Sequence, residues 1–143
     1  MQGLKPGAKV LCFMVCPARE EDLSFFALPA GSNIILLKRV RYADNEPVII
    51  ETNYFPPSLS AILDDEMEGS LYTALERRQI YPTKTSLFID ICNSTDEHSA
   101  LLNSPPRSPL LLVLSKVYDR EGKPLISSHQ IVRVDSGVFS YYL

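Results

Sequence analysis

Residues 33–55, NIILLKRVRYADNEPVIIETNYF, place two long runs of β-branched and aromatic residues on either side of ADNE. Asp44-Asn45 is a turn pair, because Asn tolerates positive φ, so the segment reads as a β-hairpin and commits the chain to an antiparallel sheet. Its polar residues need explaining. Side chains of a strand alternate between faces, so Arg39 and Arg41 point the same way. Whether Glu51 joins them depends on register. A three-residue loop, Asp44-Asn45-Glu46, pairs Ala43 with Pro47 and Arg39 with Glu51, and gathers all three charges on one face. A two-residue Asp44-Asn45 loop sets Arg39 opposite Ile50 and sends Glu51 to the other face. The three-residue loop is expected, since Val40, Tyr42, Val48 and Ile50 then make an apolar second face.

The remaining segments fit the same architecture. Ala8 to Cys16 reads as a strand, and Glu20, Glu21 and Asp22 open a short helix that carries Leu23, Phe26 and Ala27 and ends near Gly31. PPSLSAILDDEMEGS is a connection with one helical turn. SLYTALERR is a helix capped by Ser70, and YPTKTSLFIDICN alternates as a strand. In STDEHSALLN, Ser94 and Glu97 have the capping-box spacing of a further helix. SPPRSP breaks the chain before the strand LLLVLSKVYD, and REGKP turns it into LISSHQIVRVD. About six strands in hairpin relation with three short helices make an antiparallel α+β domain rather than a βαβ sheet.

Composition narrows the function classes. At 143 residues, 45% hydrophobic and 22% charged, the chain has material for one core, so residues 1–143 are expected to form one domain. A net charge of -3 with scattered basic residues gives no footprint for nucleic acid. The longest apolar runs, at 10–16 and 109–114, fall far short of the roughly 20 residues of a membrane helix. No signal peptide is visible, and the three cysteines are an odd number, which points to free thiols in a reducing, cytoplasmic compartment. Cys12 and Cys16 would lie roughly 13 Å apart on one strand, too far for a disulfide. His98 and His129 are isolated and Cys12, Cys16 and Cys92 lack ligand spacing, so no metal or other cofactor is expected. Cys92 and His98 match no known nucleophile–base signature.

The hairpin charges have two readings. They are a solvated ion pair on a sheet face, worth little in water. Alternatively, two guanidiniums fork onto a phosphate or carboxylate while Glu51 accepts from ligand hydroxyls or an amine. Ser70, at a helix start, and Tyr72, in the first turn, are candidate companions. Ser128 and Gln130 could add polar contacts from the last strand.

With these residues in place, the chain resembles the UTRA domain of HutC-type regulators in the GntR superfamily. The resemblance is carried by LLKRVRYADNEPVIIETNYFP, followed by GSLYTALERR, SPLLLVLSKVYDREGKPLISS and VRVDSGVF. It covers the chain from about Gly3 to Phe139. It implies a chorismate-lyase-like α+β fold, usually dimeric, that binds a small phosphate- or carboxylate-bearing effector and alters DNA binding by an attached N-terminal winged helix-turn-helix domain. That domain is not in this sequence, in keeping with a start directly on the turn GLKPG, which reads as a start inside a larger protein. In sugar-phosphate-binding members the hairpin arginines and helix-start serine contact phosphate, which maps onto Arg39, Arg41 and Ser70; the glutamate and tyrosine map onto Glu51 and Tyr72. Asn45 replaces a usual turn glycine. Ile126 and Val132 replace a glutamate and a tyrosine, which implies a more apolar pocket. The competing reading, a lyase on the same fold, rests on fold analogy alone.

Overall fold

The computed structural model describes residues 6–134. Six strands form one antiparallel sheet: β1 (Pro6–Pro17), β2 (Asn33–Ala43), β3 (Glu46–Phe55), β4 (Lys84–Asn93), β5 (Pro109–Tyr118) and β6 (Pro124–Val132), in the order β1-β2-β3-β6-β5-β4. Two three-stranded meanders thus meet where β3 pairs with β6. Each has a helix between its first two strands, α1 (Glu20–Phe25) in one and α3 (Asp96–Leu102) in the other. A 3-10 helix (Pro57–Asp64) and α2 (Leu71–Arg77) occupy the crossover from β3 to β4.

The crossover covers one face of the sheet. Ile62, Met67, Leu71, Ala74 and Leu75 bury themselves on Ile35, Leu37, Phe55, Val117, Leu125 and Ile126, each large side chain contributing about 1.5–3 kcal/mol by leaving water. α1 and α3 lie on the opposite face. Phe25 stacks edge-on against Tyr118, Arg19 lies 3.5 Å over the Tyr54 ring, and Leu102 packs with Ile50 and Leu110. Arg19 is fixed by a forked pair to the buried Asp22, with Nε and Nη2 donating at 2.9 and 2.8 Å.

The hairpin reaches the expected register by an unexpected route. Its loop has two residues, not three: Ala43 pairs with Glu46, and Asp44 and Asn45 both have positive φ, at 50° and 66°, as a type I′ turn requires. Left uncorrected, that turn would set Arg39 opposite Ile50. A bulge at Val48, between the pairs Tyr42–Pro47 and Arg41–Ile49, adds one residue to β3 and restores Arg39 opposite Glu51. Val48 consequently packs with Ala43, Ile49, Val113 and Val132, and not with Val40 and Ile50 as the alternation suggested.

Two helix ends also differ from the sequence reading. α1 stops at Phe25 because Ala27 turns left-handed, φ 53°, well before Gly31. α3 is capped by Thr95, whose Oγ1 accepts from the His98 amide while His98 Nδ1 accepts from the Thr95 amide. Ser94 instead donates to the Pro105 carbonyl and accepts from the Ser108 amide, pinning the following loop. Cys12, Cys16 and Cys92 are free thiols.

Candidate functional site

Between the sheet and the crossover lies a cavity of about 600 Å³. Arg39, Arg41, Glu51, Ser70, Tyr72 and Ser128 all line it. Alternation explains the convergence. Arg39 and Arg41 from β2, Glu51 from β3, Ser128 and Gln130 from β6 and Ser115 from β5 share the crossover-facing side of four successive strands. Ser70 and Tyr72 come from the start of α2, where Ser70 Oγ accepts from the Thr73 amide at 3.3 Å. That bond leaves the Ser70 hydroxyl proton available to a ligand.

The two arginines have different roles in this geometry. Arg39 is 3% exposed. Its Nε and Nη2 donate to Glu51 Oε1 at 3.0 and 2.5 Å, and Nη1 donates to the Met67 and Gly69 carbonyls at 3.0 and 2.9 Å. Four of its five N–H groups are thereby used. Arg39 ties the sheet to the loop entering α2, and little of it is left to grip a ligand. Arg41 is 32% exposed at the cavity wall, with Nη1 donating to Glu51 Oε2 at 3.3 Å. Asn53 Nδ2 completes the carboxylate's shell with a bond to Oε1 at 2.8 Å. Two guanidiniums therefore flank one buried carboxylate, an arrangement that is stabilised by an incoming anion. Glu68, the other acid lining the cavity, is exposed at its rim and screened by solvent.

Burial, aided by the charge of Glu51, pushes the pKa of the Tyr72 phenol up against the opposing influence of the Thr85 hydroxyl of β4. Ile126 does line the cavity, so the departure from glutamate makes that wall apolar; Val132 packs away from it among Ala43, Val48 and Val113. Asn53 and Ser115 were missed in the sequence, although Asn53 follows Glu51 by two on the same strand. Among the described residues no cluster of His, Cys, Asp and Glu could hold a metal ion, and no helix is long and apolar enough to cross a membrane.

The family model described as "UTRA domain" matches residues 1–136. The chain belongs to the UTRA domain family. The chain is 31% identical over 140 residues to the HTH-type transcriptional regulator GgaR of Escherichia coli K12, an alignment covering 97% of this chain and 56% of that protein. The repressor NagR of Bacillus subtilis is 24% identical over 99% of this chain and 59% of its own length. This UTRA domain thus spans somewhat over half the length of the curated relatives it matches. Among solved structures, the effector domain of PhnF from Mycobacterium smegmatis superposes with a TM-score of 0.86 at 26% identity, covering 94% of this chain and 84% of that one. The six-stranded antiparallel sheet and short helices are the fold of these domains.

Proposed function

We propose that this UTRA domain is the effector-sensing and dimerising part of a cytoplasmic transcriptional regulator of the GntR superfamily, HutC type, whose winged helix-turn-helix domain lies elsewhere in the longer protein. The effector is a small metabolite bearing a phosphate or carboxylate. The observation that carries this reading is the Arg41 guanidinium, partly exposed in the cavity beside a carboxylate that Arg39 already satisfies. An anion entering there meets Arg41 and the Ser70 hydroxyl, while Tyr72, Ser128 and Gln130 read the remainder of the molecule. Glu51 acts through its charge, aiming Arg41 and accepting from ligand hydroxyls.

The acids of the cavity favour binding over lyase chemistry. A general acid must carry a transferable proton in a dry site. Glu51 is held as an acceptor by three donors from Arg39 and Asn53, and Glu68 sits in solvent. The names of the relatives, all regulators, agree with a domain that senses and does not turn over its ligand. Binding would then bias the protein between two arrangements by the difference in affinity for them.

A thermal-shift screen of phosphorylated sugars, phosphonates and small carboxylates tests the reading. An effector at about 100 times its Kd stabilises the fold by roughly 2.7 kcal/mol. The expected result is stabilisation by one anion class, recovered chemically unchanged. Stabilisation by neutral compounds only, or conversion of the anion, would overturn it.

A further inference from the structure

The cavity floor changes chemistry along its length. Residues two apart on a strand share a face and lie about 6.6 Å apart, so the strand register sorts the floor into rows. Arg39, Glu51 and Gln130 make a charged row across β2, β3 and β6. Two residues along, Asn53, Ser128 and Ser115 make a row of neutral polar groups across β3, β6 and β5. Two further along, Ile126 and Val117 pair across β6 and β5 and finish the floor with carbon alone. The step from Gln130 to Ile126 spans about 13 Å, well beyond the reach of a bare phosphate or carboxylate at Arg41.

The roof follows the same division. Leu71 packs in one cluster with Val117 and Ile126. The Tyr72 phenol feels the hydroxyl of Thr85, which is the β4 partner of Val117, and this places Tyr72 at the carbon-lined end. The middle row is unfinished. Ser128 is 5% exposed, and neither its hydroxyl nor that of Ser115 meets a hydrogen-bond partner among the described residues; both open on the cavity. A hydroxyl buried to that degree is ordinarily bonded.

We infer that the effector is an amphiphilic anion: its phosphate or carboxylate sits at Arg41 and Ser70, and it carries an apolar, preferably aromatic, body that lies on Ile126, Val117 and Leu71 beside Tyr72, with one polar edge for Ser128 and Ser115. The inference rests on the proposed anion site and specifies what the anion is attached to. A sugar ring fits the far end poorly. Its hydroxyls would face Ile126, Val117 and Leu71, which offer no hydrogen bond, and each stranded hydroxyl weakens binding roughly tenfold or more. Both acids that could hold hydroxyls lie toward the other end, Glu51 in the charged row and Glu68 beside Gly69 and Ser70. An aromatic body strands no such group and gains from the water it displaces.

Isothermal titration compares ligands with one head group and different bodies. The probes are inorganic phosphate, glucose 6-phosphate and phenylethyl phosphate, with acetate, gluconate and phenylbutanoate as the carboxylate series. In the series whose head group binds, the phenyl compound is expected to bind roughly tenfold or more tightly than both the sugar-derived compound and the bare anion. Val117→Thr keeps the side-chain volume and adds a hydroxyl to the wall, and Ile126→Ser does the same chemically with a smaller side chain; each should erase most of that preference. The wild-type comparison decides the matter even where a variant fails to fold. A sugar-derived compound that binds as tightly as the phenyl one, or a preference that survives both variants, would overturn the inference. Binding of the bare anion that is lost in Arg41→Ala shows the anion site intact, so a failed body subsite is told apart from a failed anion site; no binding in either series would overturn both.

Discussion

Replacing Arg39 with alanine should damage the fold, whereas the same change at Arg41, two residues along, should barely touch it. Without Arg39 the 3%-exposed Glu51 carboxylate loses two donors, and the Met67 and Gly69 carbonyls lose theirs. Breaking a buried pair from one side typically costs about 3–5 kcal/mol. For a chain of this size each kcal/mol moves the midpoint by about 3 °C, so the melting temperature should fall by roughly 10–15 °C. Arg41 donates to Glu51 Oε2 at 3.3 Å from a solvent-reached position, and its removal should cost about 1 kcal/mol or less. Differential scanning calorimetry of both variants without ligand decides it. The double variant Arg39→Met, Glu51→Leu should recover part of the loss, because it removes the stranded charge. Equal destabilisation by the two arginine variants, or a double variant no better than Arg39→Ala, would refute the division of labour between them.

Further outcomes follow from the same geometry. Asn45→Val forces a β-branched residue to a φ of 66° and should lower stability by about 1–2 kcal/mol in chemical denaturation, while Asn45→Gly should not. Burial, and then Arg19 and Lys116, hold the His129 imidazole below its ordinary pKa near 6.5 against the opposing pull of Glu21 and Asp22. That contribution to stability is complete above the ordinary histidine value and is lost as pH falls toward the depressed folded value. His129→Gln should therefore flatten the fall in melting temperature below that value; an unchanged slope would contradict the assignment. Tyr72→Phe removes a hydroxyl from the cavity lining without emptying the helix face, and should leave the unliganded melting temperature within a few degrees while weakening anion binding.

How far the sequence carried depended on whether an element was set by neighbours in the chain or by the sheet order. The hairpin charges were legible because a strand's two-residue period survives the chain's choice of turn. The loop was misread, yet a two-residue turn plus the Val48 bulge gives the same parity as a three-residue loop. Ser70 was readable as a cap because its partner, the Thr73 amide, lies three residues away. Ser94 fits a capping box equally well, but Ser108 and Pro105, across a loop, claim its hydroxyl and pass the cap to Thr95. The separate roles of Arg39 and Arg41 were invisible, since they depend on where the Met67 and Gly69 carbonyls return after a long crossover. So was the exposure of β4. Its alternation reads as a strand, and only the order β1-β2-β3-β6-β5-β4 places that strand at an edge with its leucine and isoleucines exposed.

The central claim is that Arg41 seats an anion in a cavity that Arg39 and Glu51 hold open. Isothermal titration of the anion that stabilises the wild type, repeated on Arg41→Ala, tests it most directly. Loss of a charge-assisted hydrogen bond worth about 1.5–3 kcal/mol should weaken binding roughly tenfold to a hundredfold or more, with the unliganded melting temperature almost unchanged. Equal affinity in the two proteins would mean that the anion binds elsewhere and that the hairpin charges only hold the sheet to its crossover.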